Sequence, residues 1–306
     1  MIENDDRQRL RRVRTLALLL TGLSLLVVVL SAYLRLDGAG LACADWPACY
    51  GKLLSEPQEP RYGVARLLHR TFASLSLLLA CFLVWQCRRR PVLAAPARPA
   101  VLLLLLMLSL SALGIWSSDP RQTLVGFLNI VGGLGLVTFS WRVVLASEPH
   151  PAPPGKATAV LRLGAAALSI TVMVGGLIGA GYALLACNTF PSCAGRWWPV
   201  ASDWAAMHPF ATLHAAPQAA DTGGAGLHLL HRNAALATLL MLGAAAIRGL
   251  AASRPSKAPA LLLALLAGEI ALGSLIVLGD FPLWPAVGHD AGAALLLATL
   301  ATLLRR

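Results

Sequence analysis

The sequence predicts an all-α membrane protein: eight transmembrane helices forming two parallel, pseudo-symmetric four-helix bundles. Three observations predict it. The chain of 306 residues is 57% hydrophobic and only 13% charged, with a mean hydropathy of +0.69. A water-soluble domain of this length needs a charged surface that is missing here. The apolar residues fall into eight runs, each long enough to cross about 30 Å of hydrocarbon at about 1.5 Å per residue. Finally, the second half of the chain repeats the motifs of the first in the same order.

The runs cover 15–33, 64–86, 100–116, 124–141, 160–184, 225–247, 260–279 and 284–304. The first reads as an anchor. It lacks the small-residue cleavage site of a signal peptide, and motif residues follow it directly. Basic residues cluster at 7–14, at Arg88, Arg89, Arg90 and Arg98, at Arg142 and Lys156, at 248–257, and at Arg305 and Arg306. With eight crossings every one of these segments lies on the same side. That is the positive-inside pattern, and it places both termini in the cytoplasm of a bacterial-type inner membrane. It also accounts for the net charge of +11 through membrane lipid, with no nucleic acid as partner.

Two long loops, 34–63 and 186–224, then face the outer side. Each carries a cysteine pair with five intervening residues, Cys43 and Cys49 in the first, Cys187 and Cys193 in the second. Outside the cytoplasm a disulfide persists, so one is expected in each loop, with free thiols or metal ligands as the alternative. Closing so short a loop contributes about 2 kcal/mol. Cys81 and Cys87 are expected as buried small hydrophobes. Trp46, Trp197, Trp198 and Trp284 fall near the outer interface, as aromatic belts do.

The repeat is explicit. The first half reads GAGLACADWPACYG, HRTFA, ALG and then Asn129; the second reads GAGYALLACNTFPSCAG, HRNAA, ALG and then His289. Cys43 and Cys49 pair with Cys187 and Cys193, His69 with His231, Gly114 with Gly273, and Asn129 with His289. The halves are expected at 1–147 and 157–306, joined by a Pro-rich cytoplasmic linker over 148–156. An even number of spans in each half gives both the same orientation, so the repeat is parallel.

Ionisable groups inside a membrane need a reason to be there. His69, His231, His289 and Asn129 all lie near the outer ends of their runs, about 8 Å deep at the helical rise. Histidines on facing helices of a bundle hold haem iron from both sides. His231 and His289 supply such a pair in the second half, whereas the first half supplies only His69, because the amide of Asn129 is a poor iron ligand. A six-coordinate haem is therefore expected in the C-terminal half, and an iron with one open position in the N-terminal half. Arg70 and Arg232 follow the histidines and either reach haem propionates or snorkel to headgroups. Interhelical hydrogen bonds are the alternative use of the histidines. His228 and His231 share a helix face, as zinc ligands do, but lack third and fourth partners. Glu269 is a second intramembrane acid, placed either to orient the C-terminal haem site or to bond a neighbouring helix.

The loop motif GAGLACADWPACYG, the paired HR-x-x-A motifs, CNTFPSCAG and the late His289 with DAGAALLL resemble the haem A synthase family over nearly the whole chain. The resemblance implies eight helices in two pseudo-symmetric halves and a haem b held by His231 and His289. It implies haem O as substrate at His69, with Arg66 and Asn129 beside it in the reacting half. The reaction implied is oxidation of a ring methyl of haem O to a formyl, giving haem A for terminal oxidases. It also implies work beside the enzyme that makes haem O, toward an electron acceptor the sequence does not name, in a chain able to form a homo-oligomer. Two positions depart from the family pattern. Arg66 stands where a glutamate is common, and Asn129 where a second histidine is common. An arginine cannot act as a carboxylate base, though it can pair with a propionate, Asp37 or Asp45. The departures leave an alternative, a non-catalytic haem protein for haem delivery or electron transfer in oxidase assembly. The parallel repeat alone also admits a transporter, for which no substrate is indicated.

Overall fold

The computed structural model describes residues 2–38, 60–90, 92–116, 123–148, 158–181, 183–206, 222–251 and 257–305. Among the described residues the regular elements are helical: α1 (Ile2–Gly38), α2 (Pro60–Arg88), α3 (Ala94–Trp116), α4 (Thr123–Ala146), α5 (Ala159–Ala180), α6 (Ala201–Ala206), α7 (Thr222–Leu250), α8 (Lys257–Leu278) and α9 (Leu283–Leu304), with a 3-10 turn at Leu184–Ala186. Eight of them, all but the short α6, are long and apolar enough to cross a membrane. The chain is a multi-pass membrane protein, and each expected run coincides with one of these helices.

The helices overrun the apolar runs where the polar flanks still favour helix. α1 continues back through the basic segment to Ile2, whose arginines and leucines are good helix formers. α2 starts at Pro60, a residue suited to the first helical position because its missing N–H needs no partner there. α5 stops earlier than its run. Gly181 closes it, donating its N–H to the Leu177 carbonyl, and the 3-10 turn follows. Arg9 on α1 meets the C-terminal end of α2, donating to the carbonyls of Gln86 (2.7 Å) and Arg89 (2.8 Å), groups that a helix end leaves without intrahelical partners.

α1 packs on α2 and α4, and α3 packs on the same two, closing a ring of four. α7 packs on α5 and α8, and α9 on α8 and, more narrowly, on α5. The two sets meet where α9 touches α1 and α4, and where α4 touches α5. Val13, Leu20, Leu83, Leu103 and Val143 form the first core; Leu161, Leu168, Leu242, Leu262 and Leu296 form the second. Val28, Leu134 and Val137 against Ala294 and Ala298 fill the seam. Leu67, Leu78, Leu102, Leu240 and Leu278 point outward, which suits a hydrocarbon surrounding. Cys81 is exposed there too, against expectation, while Cys87 is buried: on a helix apolar on nearly every face, hydrophobicity does not mark the inward side.

At the basic end, the halves are tied by polar contacts. Trp141 Nε1 donates to Thr302 Oγ1 at 2.8 Å. Glu148 pairs with Arg305 at 2.8 Å and with Arg14 at 3.7 Å. Such partly exposed pairs stabilise by about 1 kcal/mol or less each; here they fix where the linker leaves α4.

Candidate functional site

The opposite end carries the loops and the histidines. His69 and His231 each lie nine residues into their helices, counted from Pro60 of α2 and Thr222 of α7. Asn129 and His289 each lie six residues into theirs, counted from Thr123 of α4 and Leu283 of α9. Both α2 and α7 begin before their apolar runs, so their histidines sit deeper from the helix ends than the runs suggest.

His231 and His289 face each other. Their ring centres are 6.3 Å apart, with planes at 81°. Two imidazoles sharing one iron through bonds of about 2 Å place their nitrogens about 4 Å apart and their ring centres about 6 Å apart, so the observed spacing fits a shared metal. Each ring is held through Nδ1. That of His231 lies 3.0 Å from the Thr171 carbonyl of α5, and that of His289 lies 2.9 Å from Oε2 of Glu269 on α8. This leaves Nε2 of both rings for a ligand. A backbone carbonyl or carboxylate behind a ligating imidazole fixes its tautomer and orientation and raises its basicity. The donor set therefore fits an iron held between two imidazoles, and the structure brings the pair together.

Glycines make these approaches possible. A Cβ at position 175 of α5 would lie 2.9 Å from Cε1 of His231, so Gly175 leaves the space the ring fills. A Cβ at position 292 of α9 would collide with the Glu269 carboxylate. Gly292 thus lets Glu269 reach the ring one helical turn away.

The first half has no second imidazole. His69 and Asn129 instead line a cavity of about 520 Å³, together with Arg35, Arg70, Gly114 and Asp290. That size falls within the usual range for small-molecule and cofactor sites. Its wall crosses the seam, since Asp290 belongs to α9 and directly follows His289. Arg35 of α1 pairs with Asp290 Oδ2 at 2.5 Å. Arg66 is exposed on α2 and stands outside the described cavity wall. Asp37 is buried, and Asp45 lies outside the described residues.

Arg232 has partners the sequence did not suggest. Its Nη1 donates to the carbonyls of Thr189 (2.7 Å), Ser192 (2.9 Å) and Pro191 (3.2 Å), and its guanidinium lies over the Phe190 ring. It thereby fastens to α7 the loop closed by the Cys187–Cys193 disulfide. Its Nη2 is buried without a partner, so one edge remains for an anion. His228 hydrogen-bonds through Nε2 with the Ala183 carbonyl at 2.9 Å. Among the described residues no three His, Cys, Asp or Glu side chains converge as metal ligands would. Cys43 and Cys49 lie outside the described residues.

Sequence reasoning missed Thr171, Gly292 and the Arg35–Asp290 pair. The only available signals were an arginine at the end of one span and an aspartate beside a histidine in another.

Fold and site define a multi-pass helical membrane protein in which two histidines from separate spans face each other near a cavity lined by a third. A family model described as cytochrome oxidase assembly protein (COX15-CtaA) matches residues 14–61 and 68–301, and the chain belongs to that family. It is similar to the heme A synthase of Shewanella oneidensis, 32% identical over 308 residues, covering 92% of each chain. It is also similar to the heme A synthase of Symbiobacterium thermophilum, 37% identical over 124 residues, covering 39% of this chain and 37% of the relative.

Proposed function

We propose that this protein is a haem A synthase: it oxidises a ring methyl of haem O, its substrate, to a formyl group, yielding haem A for terminal oxidases. The observation that carries the reading is the pairing of two unlike sites across one seam. The His231–His289 pair, suited to a shared iron, adjoins a cavity with a single imidazole, His69. The family and the relatives' names support the same chemistry.

His231 and His289 would hold haem b, which when bound supplies one-electron transfer. Thr171 and Glu269 hold the two rings through Nδ1 and would leave Nε2 of each for the haem iron, a site that would carry electrons and not substrate. In the N-terminal half, His69 would take the iron of haem O on one side and leave the other open. Conversion of the methyl to the formyl removes four electrons, which an external oxidant takes up; two successive hydroxylations give a geminal diol, which loses one water. Asn129 offers an amide at the cavity wall, able to hydrogen-bond an oxygen ligand or the hydroxylated carbon. Arg66, exposed and outside the wall, would serve the propionate edge or the lipid surface. Arg70, at the cavity, would serve a propionate, and Arg232 would use its free Nη2 toward the other haem.

The proposal includes two pseudo-symmetric halves at 1–147 and 157–306, supported by the matched helix positions of His69 with His231 and Asn129 with His289. It places both termini in the cytoplasm of an inner membrane, supported by the basic clusters. The enzyme that makes haem O and a second copy of this chain are its expected partners. The test is expression beside a haem O supply, followed by extraction of the haems. Haem A or its hydroxylated precursor is expected; absence of both at full haem loading overturns the assignment. The non-catalytic alternative rests only on the Arg66 and Asn129 departures and is not the reading the relatives favour.

A further inference from the structure

Among the described residues, the wall of the N-terminal cavity carries more positive charge than it neutralises: Arg35 and Arg70 stand against the carboxylate of Asp290. Asp290 takes only one corner of the Arg35 guanidinium, at Nη2. Nη1 reaches the Gly179 carbonyl at a long 3.4 Å, and Nε is buried with no partner. A buried N–H of a charged group without an acceptor is costly, and a guanidinium offers its donors as a fork shaped for a carboxylate. Arg35, on α1, is also held in place by two helices of the other half: Asp290 belongs to α9, Gly179 to α5, and a Cβ at position 179 would stand 3.0 Å from its Nη1.

We propose that Arg35 is a carboxylate-binding residue of the N-terminal cavity, taking a propionate of the tetrapyrrole substrate, and that Asp290 holds it ready while moderating its charge. The inference rests on reading this cavity as the substrate site. Asp290 has two effects on binding. It orients the fork, and it competes with an incoming carboxylate for the same cation. The two residues therefore have opposite signs. Removing Arg35 weakens recognition of carboxylates, whereas neutralising Asp290 strengthens it. A purely structural ion pair predicts the same sign for both.

The experiment uses the purified full-length protein with its resident haem and compares two fluorescent probes, zinc protoporphyrin IX and its dimethyl ester. The ester keeps the macrocycle and removes both charges. The readout is the ratio of the two affinities, which cancels partitioning into detergent. Arg35→Gln is expected to lower the preference for the diacid by about tenfold, the size of one charged hydrogen bond. Asp290→Asn is expected to raise it. Arg35→Lys is expected to fall between wild type and Arg35→Gln. Because Arg35→Gln leaves Asp290 unpaired, the double variant Arg35→Gln/Asp290→Asn serves where the single one fails to fold; it too should show the lowered preference. An unchanged ratio in Arg35→Gln and the double variant, or a fall of equal size in Arg35→Gln and Asp290→Asn, overturns the role of Arg35. If instead His69→Ala leaves the binding of both probes unaltered, the cavity is not the tetrapyrrole site, and the proposed function loses its substrate site along with this inference.

Discussion

In the C-terminal half two imidazoles meet at 6.3 Å, each held from behind through Nδ1. In the N-terminal half the corresponding helix positions carry His69 and Asn129, which line a cavity of about 520 Å³. The two four-helix sets thus present two different donor sets. Two basic nitrogens on opposite sides of an iron fill its axial positions and leave it fit for electron transfer. One nitrogen leaves a position where oxygen chemistry can occur. On the proposed function, the two halves would separate holding a haem from working on one through the side chains they present at these positions. The supporting residues diverge accordingly: Glu269 has Leu110 at the related position of the first half.

The comparison breaks most directly at the paired imidazoles. His231→Ala or His289→Ala is expected to abolish the low-spin haem spectrum, read by absorption and electron paramagnetic resonance; retention of that spectrum in both variants removes the contrast between the halves. His69→Ala should abolish turnover while the low-spin signal stays intact. The reverse result would mean that the two sites have been exchanged. Asn129→His tests whether one side chain separates the halves: with substrate bound, it should add a second six-coordinate component to the spectrum. Glu269→Ala removes the carboxylate that makes His289 electron-rich. The reduction potential of the low-spin haem should rise by about 60 mV, the one-electron equivalent of a tenfold change, measured by redox titration. The smallest effect on either site is expected from Cys187→Ser with Cys193→Ser. Thermal unfolding should show a loss of about 2 kcal/mol, with the haem spectrum unaltered because the loop is also held by Arg232.

Much of the fold was legible because a bilayer imposes a length and a composition on anything that crosses it. The eight runs required only counting, and the histidines stood out because ionisable groups are rare in such runs. The site was legible to the level of residue type. His231 and His289 were paired from their depth, but not their ring orientation, and nothing in the sequence showed that Nη1 of Arg232 meets the loop carbonyls of Thr189 and Ser192. Cys81 was expected inside and lies outside, since a helix apolar all round does not signal its inward face.

The sequence by itself determined the number of spans, the charge asymmetry, the repeat, and which spans carry imidazoles. These follow from local composition and from motifs compared along the chain. Tertiary structure alone decided which nitrogen of each histidine is held, that Gly175 and Gly292 clear space for His231 and Glu269, and that Arg35 meets Asp290 across 255 residues. Contacts of this kind depend on how helices are rotated against one another. In segments whose every face is apolar, packing sets that rotation, and no periodicity in the sequence records it.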